Sequence, residues 1–337
     1  MIDSSTNNKV LEIKDLKTYF YTDDGVVKAV DGVSFDLKKG ETLGIVGETG
    51  SGKSVTALSI LRLIPEPPGK IVNGEILFNG TDLLKLDKRD LQAYRGNRIS
   101  MIFQDPMTSL NPVYNIGNQI MESVIIHRKL KKEDAIKEAV RLLEMVGISE
   151  ARKRLSSYPH EFSGGMRQRV MIAMAIANSP DILIADEPTT ALDVTIQAQI
   201  LELVDDIKKK TNTSIILITH DLGVVAKYAK RVLVMYAGKP VEFSTVDNIF
   251  YKPIHPYTLG LMNSITRLDE EKREKLKPIT GSPPSLIDLP GGCAFKKRCE
   301  FSNDACKSDY PPLEEIEKEH FVACYRARDI LKTRTGK

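Results

Sequence analysis

Two different spacings of apolar residues run along the first 250 positions of the chain. Between residues 10 and 45, the short apolar runs VLEIKDL, AVDGVSFDL and KKGETLGIVG alternate with turn signals. They predict strands of a small antiparallel layer that leads into a buried strand over residues 43–46. Farther on, KEDAIKEAVRLLEMVG has its apolar residues at helical spacing, and Gly147 is well placed to end that helix.

Buried strands then alternate with helices. A helix is predicted to begin at Gly164, and DILIA, SIILIT and RVLVMY predict strands separated by a helix over 194–210 and a shorter one. This alternation is typical of an α/β fold with a largely parallel sheet. Periodicity fades after about residue 250, where LDEEKREKLK reads as a linker. We therefore predict one domain over residues 1–250 and a second, small and irregular, over 251–337.

Composition excludes several classes of protein. The formal net charge is only +3, without the concentrated basic face of a nucleic-acid-binding protein. The first residues, MIDSSTNNKV, lack a basic stretch followed by an apolar one, and no window approaches about 18 apolar residues, so we expect neither a secretory signal nor a membrane span. We expect a cytoplasmic protein, where disulfides are disfavoured.

The stretch GETGSGKS fits G-x-x-x-x-G-K-[ST] between a predicted strand and a predicted helix. In such a loop, backbone N–H groups point at phosphate oxygens, and the positive end of the helix favours the same anion. Lys53 is expected to reach the β- and γ-phosphates of a nucleotide, and the Ser54 hydroxyl to bind Mg²⁺. The predicted phosphate-binding residues are Gly47, Glu48, Thr49, Gly50, Ser51, Gly52, Lys53, Ser54 and Thr56.

A second acidic element follows in ILIADEP. Asp186 and Glu187 stand at the carboxyl end of a predicted strand, where open α/β sheets place ligand-binding groups. Asp186 is expected to hold Mg²⁺ through water, and Glu187 to act on the attacking water as a general base.

Three further elements narrow the class of ATPase. FSGGMRQRV places Ser163, Gly164 and Gly165 at a helix N-terminus, a second anion-binding surface, shortly before ILIADEP. Gln104 ends the strand ISMIFQ, His220 ends SIILITH, and ALD follows the acidic pair. With this order and spacing, residues 10–250 resemble the ATP-binding cassette (ABC) ATPases.

The resemblance implies a P-loop NTPase fold with a RecA-like parallel sheet core, an N-terminal antiparallel β layer and a helical subdomain at about 105–178. It implies that two such domains face each other, with Ser163, Gly164 and Gly165 contacting the ATP of the partner. Gln104 would couple Mg²⁺ and water to a transmembrane partner, Asp193 would communicate across the dimer, and His220 would contact the γ-phosphate. Phe20 aligns best with the aromatic residue that stacks on adenine, with Tyr19 and Tyr21 beside it. Phe162 and Met166 depart from the commonest signature, LSGGQ, which leaves open whether the partner is an identical chain.

All four cysteines fall in the last 45 residues, at Cys293, Cys299, Cys306 and Cys324. PIHPYTLGLMNSI and these cysteines resemble the small C-terminal extension of ATPases in di- and oligopeptide importers, with nickel importers as relatives. Some members of that group hold a [4Fe–4S] cluster here. Four thiolates suit such a cluster, zinc is the alternative, and free thiols or disulfides remain open. Lys296, Lys297 and Arg298 could offset the negative charge.

The leading hypothesis is an ATPase at the cytoplasmic face of the membrane that powers import of di- or oligopeptides. Its partners would be a second ATPase subunit, as a heterodimer or a homodimer, two transmembrane permease subunits and, indirectly, an extracellular binding protein. An importer of nickel or another solute, a cassette ATPase that does not transport (for instance in Fe–S assembly), and an Fe–S redox protein with a regulatory nucleotide site are the alternatives.

Overall fold

The computed structural model describes residues 8–190, 192–264, 279–287, 289 and 291–335. The strands, in chain order, are β1 (Lys9–Thr22), β2 (Gly25–Lys38), β3 (Thr42–Val46), β4 (Gly69–Phe78), β5 (Thr81–Asp82), β6 (Ile99–Ile102), β7 (Ile182–Asp186), β8 (Ser214–Ile218), β9 (Arg231–Tyr236), β10 (Lys239–Thr245), β11 (Glu314–Glu317) and β12 (His320–Val322). The helices are α1 (Lys53–Ile60), α2 (Lys88–Gln92), α3 (Pro106–Ser109), α4 (Ile116–Arg128), α5 (Lys132–Met145), α6 (Ala151–Arg154), α7 (Gly164–Ile176), α8 (Val194–Thr211), α9 (Leu222–Tyr228), α10 (Val246–Tyr251), α11 (Pro256–Asn263), α12 (Ala305–Ser308) and α13 (Ala327–Thr335).

Contacts between Cα atoms divide the chain into two compact units. Unit 1 comprises the described residues within 1–11, 37–42 and 78–218, and unit 2 those within 12–36, 43–77 and 219–337. The predicted boundary near residue 250 stays a prediction. Across the described ranges, none of the helices combines the length and apolar character that a membrane span requires.

Unit 1 is built on parallel strands covered by helices. Strand β7 pairs in parallel with β6 on one side and β8 on the other, and every residue of β7 and β8 is buried. This confirms the prediction that the apolar runs here form buried parallel strands. The predicted helices are confirmed too: α5 ends at Met145, two residues before Gly147, whose φ of 77° suits a glycine, and α7 begins at Gly164.

Unit 2 contains a mixed sheet. Strand β3 pairs in parallel with β9, but β9 pairs antiparallel with β10, which pairs antiparallel with β12, which in turn pairs antiparallel with β11. Strands β2, β1 and β4, which lie almost entirely in unit 2, form a separate layer in that order. The predicted core strands of this unit, β3 and β9, are parallel as expected. The sheet as a whole is mixed, because the hairpin β9–β10 turns the chain back and the C-terminal residues add two more antiparallel strands.

The C-terminal residues are also less irregular than predicted. They contain helices α11, α12 and α13 and strands β11 and β12. These elements are short, so their apolar spacing gives little signal, and β12 forms because the edge of β10 offers it backbone partners. The predicted linker over 268–277 lies outside the described residues, as do Ile265 and Ala191 from the motifs quoted above.

Candidate functional site

The phosphate-binding motif forms a tight loop in unit 2, between buried strand β3 and helix α1. Two of its glycines are required because any side chain would clash with neighbouring backbone, and not only because of their backbone angles. A Cβ atom on Gly47 would lie 2.2 Å from the carbonyl oxygen of Met235, and one on Gly52 would lie 2.3 Å from that of Ala29. Gly52 is also the N-cap of α1 with a φ of 99°, so the loop delivers the chain directly to a helix N-terminus.

The lysine of the motif is buried within this loop. The Lys53 ammonium donates hydrogen bonds to the carbonyl oxygens of Gly47 at 2.8 Å and of Glu48 at 3.0 Å. The Ser51 hydroxyl oxygen is buried and has no hydrogen-bond partner among the described residues. A buried polar atom of this kind calls for a partner, so the loop fits a polar ligand such as a phosphate group. The Thr56 hydroxyl instead donates to the Gly52 carbonyl oxygen at 2.9 Å and supports the first turn of α1.

The predicted carboxylates lie in unit 1, at the end of strand β7. Asp186 is the last residue of the strand and is buried, and Glu187 follows with a φ of 44°. A non-glycine residue in this left-handed region carries backbone strain, which is most often found at functional sites. One oxygen of Glu187 accepts hydrogen bonds from the Gln104 amide at 3.2 Å and from the Thr190 hydroxyl at 2.9 Å. The structure thus brings Glu187 and Gln104, predicted from separate strands, into direct contact.

The signature residues, also in unit 1, stand where helix α7 begins. Ser163 is the N-cap, its hydroxyl oxygen accepts from the Met166 N–H at 3.3 Å, and Ser163 and Gly164 are exposed. Phe162 is buried. The commonest signature has Leu at this position, so the departure exchanges one apolar side chain for another at a buried site. Asp193 caps helix α8 in the same way, accepting from the Ile196 N–H at 3.0 Å.

The remaining nucleotide residues predicted from the sequence lie in unit 2. His220 is exposed and directly precedes Asp221, the N-cap of α9. Of the three neighbouring aromatic residues in β1, the Tyr19 hydroxyl donates to Asp31 at 2.8 Å, Phe20 is half-buried, and Tyr21 is 52% exposed. Burial, and then the Asp31 carboxylate, raise the pKa of the Tyr19 phenol. The Tyr19 hydroxyl is therefore already hydrogen-bonded within the unit, whereas about half of the Tyr21 side chain is accessible from outside it.

No disulfide joins the four cysteines, and they line one small cavity together with His255, Phe295 and Tyr325 among others. Burial raises the pKa of the Cys293 thiol, that of Cys299 to about 11 and that of Cys324 to about 12, and the neighbouring thiols add to each of these shifts. Within the described ranges, no group of three or more His, Cys, Asp or Glu side chains has the arrangement of a metal site. The predicted C-terminal metal-binding domain is therefore not shown.

A contact that sequence reasoning missed joins the phosphate loop to the residues beyond 250. Glu48 forms a two-pronged ion pair with Arg298, with N–O distances of 2.7 and 3.0 Å, and its backbone N–H donates to the Tyr257 hydroxyl at 2.8 Å. Arg298 was expected only to offset charge at the cysteines. No local pattern could have revealed this pair, since its partners are 250 positions apart.

Comparison with known proteins agrees with this geometry. Residues 30–190 match the family model described as ABC transporter, and residues 241–306 match that of the oligopeptide/dipeptide transporter C-terminal region. The chain is 57% identical to the oligopeptide transport ATP-binding protein OppD of Bacillus subtilis, over 93% of this chain and 88% of that protein. It is 52% identical to OppD of Salmonella typhimurium, over 96% of both chains, and 54% identical to the dipeptide transport ATP-binding protein DppD of B. subtilis, over 94% of both.

Solved structures show the same fold. A dimeric ATP-binding cassette in a post-hydrolysis state with ADP and Pi superimposes with a TM-score of 0.63 at 26% identity, covering 70% of this chain and 98% of that one. The protein cbiO1 of Clostridium perfringens, part of an ABC transporter complex, gives a TM-score of 0.61 at 26% identity, over 73% of this chain and 92% of that one. Motifs, fold and relatives agree, and the chain belongs to the ABC transporter family as one of its ATP-hydrolysing, ATP-binding subunits.

Proposed function

We propose that this chain is the ATPase subunit that powers import of di- and oligopeptides through a membrane transporter. The observation that carries the proposal is the joint presence of an ABC ATPase region and the oligopeptide/dipeptide C-terminal region in one chain. The relatives named above, which align over nearly their whole length, are oligopeptide and dipeptide transport proteins. We place the chain at the cytoplasmic face of the membrane as a peripheral subunit.

The predicted site residues take complementary roles toward ATP. The loop 47–54 binds the phosphates through backbone N–H groups, and the Lys53 ammonium binds the phosphate oxygens while the loop carbonyls hold it in place. Glu187 orients and activates the attacking water, and the Gln104 amide holds the Glu187 carboxylate in place.

The residues proposed to hold Mg²⁺ are Ser54, Gln104 and Asp186, a set of oxygen donors that suits this ion. When bound, Mg²⁺ neutralises charge on the phosphate oxygens. His220 contacts the γ-phosphate, and Phe20 stacks on adenine, with the exposed Tyr21 as the alternative contact from the same strand.

A second ATPase subunit completes each site. The turn of Ser163, Gly164 and Gly165, of which the first two are exposed, presents a hydroxyl and the N-terminus of a 13-residue helix, a surface suited to the phosphates of an ATP held by another subunit. Asp193 communicates across this interface. We propose a heterodimer with a related ATPase, in keeping with the departures from the commonest signature.

Permease subunits are expected to dock on the helical region of unit 1. Large apolar side chains are exposed there, on residues that the phosphate chemistry does not use: Met107, Val113, Tyr114, Ile125 and Ile126. Tyr114 and Ile125 also line a groove of about 710 Å³ between helices. A groove lined by polar and apolar side chains, with further apolar side chains exposed beside it, is suited to an amphipathic helical segment of a partner. The extracellular binding protein acts on the permeases and only indirectly on this chain.

We propose that the four cysteines hold a [4Fe–4S] cluster, with zinc as the alternative. The thiols fit a metal centre because all four converge on one cavity. A cationic centre would stabilise the thiolates and fasten a segment with few apolar residues. Iron, sulfide and zinc analysis of anaerobically purified protein separates cluster, zinc and free thiols.

The transport proposal is tested in the complete complex reconstituted in vesicles. We expect peptides to enter the vesicles and to stimulate ATP hydrolysis, and Glu187→Gln to bind ATP with almost no turnover. Stimulation by Ni²⁺ instead of peptide would favour the nickel importer. Hydrolysis that no permease affects would favour an ATPase that does not transport. Normal turnover by Glu187→Gln would contradict the assignment of the base.

A further inference from the structure

Glu48, the second residue of the phosphate loop, is held from two sides by residues that follow position 250. The Arg298 guanidinium meets both oxygens of the Glu48 carboxylate, with the Arg298 side chain 7% exposed and that of Glu48 27% exposed. The Tyr257 hydroxyl accepts the Glu48 N–H. A two-pronged guanidinium–carboxylate pair fixes orientation as well as distance, so both the side chain and the backbone of Glu48 are constrained.

Arg298 and Tyr257 are themselves held rigidly. Arg298 donates to the Tyr236 hydroxyl at 3.3 Å and to the Thr280 carbonyl oxygen at 3.1 Å. The rings of Tyr236 and Tyr257 have centroids 4.6 Å apart, and Phe295 packs against both. Tyr236 and Tyr257 are fully buried, so this aromatic cluster is a firm support for the groups that hold Glu48.

Glu48 in turn holds the lysine of the loop. Its carbonyl oxygen accepts from the Lys53 ammonium at 3.0 Å and from the Ser51 N–H at 3.1 Å. A shift of the Glu48 backbone would therefore move the acceptor that places the Lys53 charge. A freed Glu48 carboxylate would also add negative charge beside a loop that binds phosphates.

We propose that Arg298 and Tyr257 are positioning residues of the phosphate loop, which set nucleotide affinity by holding Glu48 and, through it, Lys53. This inference rests on the proposed role of the loop in binding phosphates. Neither residue needs to contact the nucleotide. The residues beyond 250 thus serve ATP binding in addition to any role at the cysteines.

The test is the affinity of the full chain for a fluorescent ADP analogue. Arg298→Met is expected to weaken binding on the order of tenfold, the size typical of a residue that acts on a site through its neighbours. Arg298→Lys should recover part of the loss, because the charge stays but the fork geometry does not. In Glu48→Gln/Arg298→Met, affinity should recover only in part, because the uncompensated carboxylate is gone but residue 48 is still not held in place. Full recovery would show that charge alone, and not positioning, links Arg298 to the loop.

The matched control is another buried arginine–carboxylate pair among the described residues of unit 2. Arg231 meets both oxygens of Asp36, and it stands opposite Leu43, at the far end of β3 from the phosphate loop. Arg231→Met should lower the unfolding temperature yet leave affinity for the ADP analogue unchanged. A role for Arg298 in stability alone would make the two variants behave alike.

The outcomes separate this inference from the function on which it rests. If Lys53→Ala binds the analogue normally, the role of the loop is wrong. If Lys53→Ala loses binding but Arg298→Met stays within about twofold of the unmodified protein, only the positioning role is wrong. Should Arg298→Met fail to fold, Tyr257→Phe removes a single hydroxyl, and we expect it to weaken binding about threefold; unchanged affinity would overturn the inference.

Discussion

The buried carboxylate of Glu242 gives a sharp test of how the C-terminal residues are attached to strand β10. Glu242 is fully buried. One of its oxygens accepts from the Ile254 N–H at 2.8 Å and lies 2.7 Å from the Nε2 atom of His320, and the other accepts from the His255 N–H at 3.0 Å. Residues from three separate segments therefore meet at one charge.

Glu242→Gln keeps the shape of the side chain and removes the charge. Its NH₂ group takes the place of one oxygen, so one of the three contacts becomes a donor facing a donor, which costs about 1–3 kcal/mol for the buried group left unsatisfied. The other two contacts lose the strengthening that a charged acceptor gives, about 1 kcal/mol in total. We expect the free energy of unfolding to fall by about 3 kcal/mol.

The assay is thermal unfolding followed by circular dichroism. For a chain of this size, a loss of about 3 kcal/mol corresponds to a fall in the unfolding temperature on the order of 5 °C. Glu317→Gln, at an exposed position of β11, makes the same chemical change and should leave the temperature unaltered. A shift of less than about 1 °C for Glu242→Gln would refute the reasoning, since it would show that the charge contributes no net stability.

Two further predictions concern the loop and the helical region. Gly47→Ala should abolish binding of the ADP analogue in a fluorescence titration, because its methyl group would meet the Met235 carbonyl oxygen at 2.2 Å. Hydrogen bonds from Arg141, and then from Arg128, lower the pKa of Glu138 to about 2. The ion pairs of Glu138 therefore stabilise the fold at pH values above about 4.3, the ordinary pKa of a glutamate, and this stabilisation is lost as the pH falls toward 2. Urea unfolding should therefore show Glu138→Gln less stable by about 1 kcal/mol at pH 7, with the difference shrinking below pH 4.

Local patterns predicted the parts of the fold whose causes are local. The phosphate loop follows from glycines whose positions leave no room for a side chain, and α7 follows from periodic apolar residues after a serine cap. Gln104 and Glu187 could be placed at the same edge of a sheet because each ends or follows a strand, and their hydrogen bond confirms that they meet.

Contacts between distant parts of the chain could not be predicted in this way. Strand β12 has three residues, and its pairing with β10 depends on the open edge of that strand, which apolar spacing does not record. The Arg298–Glu48 pair gives no signal in either segment, since a charged residue in a loop is usually solvated. The arrangement of the four thiols likewise depends on tertiary contacts between distant residues, and such contacts leave no periodic pattern in the sequence.

Strand β11, at the end of the strand order in the unit 2 sheet, has the sequence EEIE, with its three glutamates exposed. An open strand edge presents unpaired backbone groups that can recruit another chain. Like charges facing each other across such an edge discourage two copies from joining there. We therefore expect these carboxylates to disfavour self-association through this edge, and neutralising all three should make the protein more prone to aggregate.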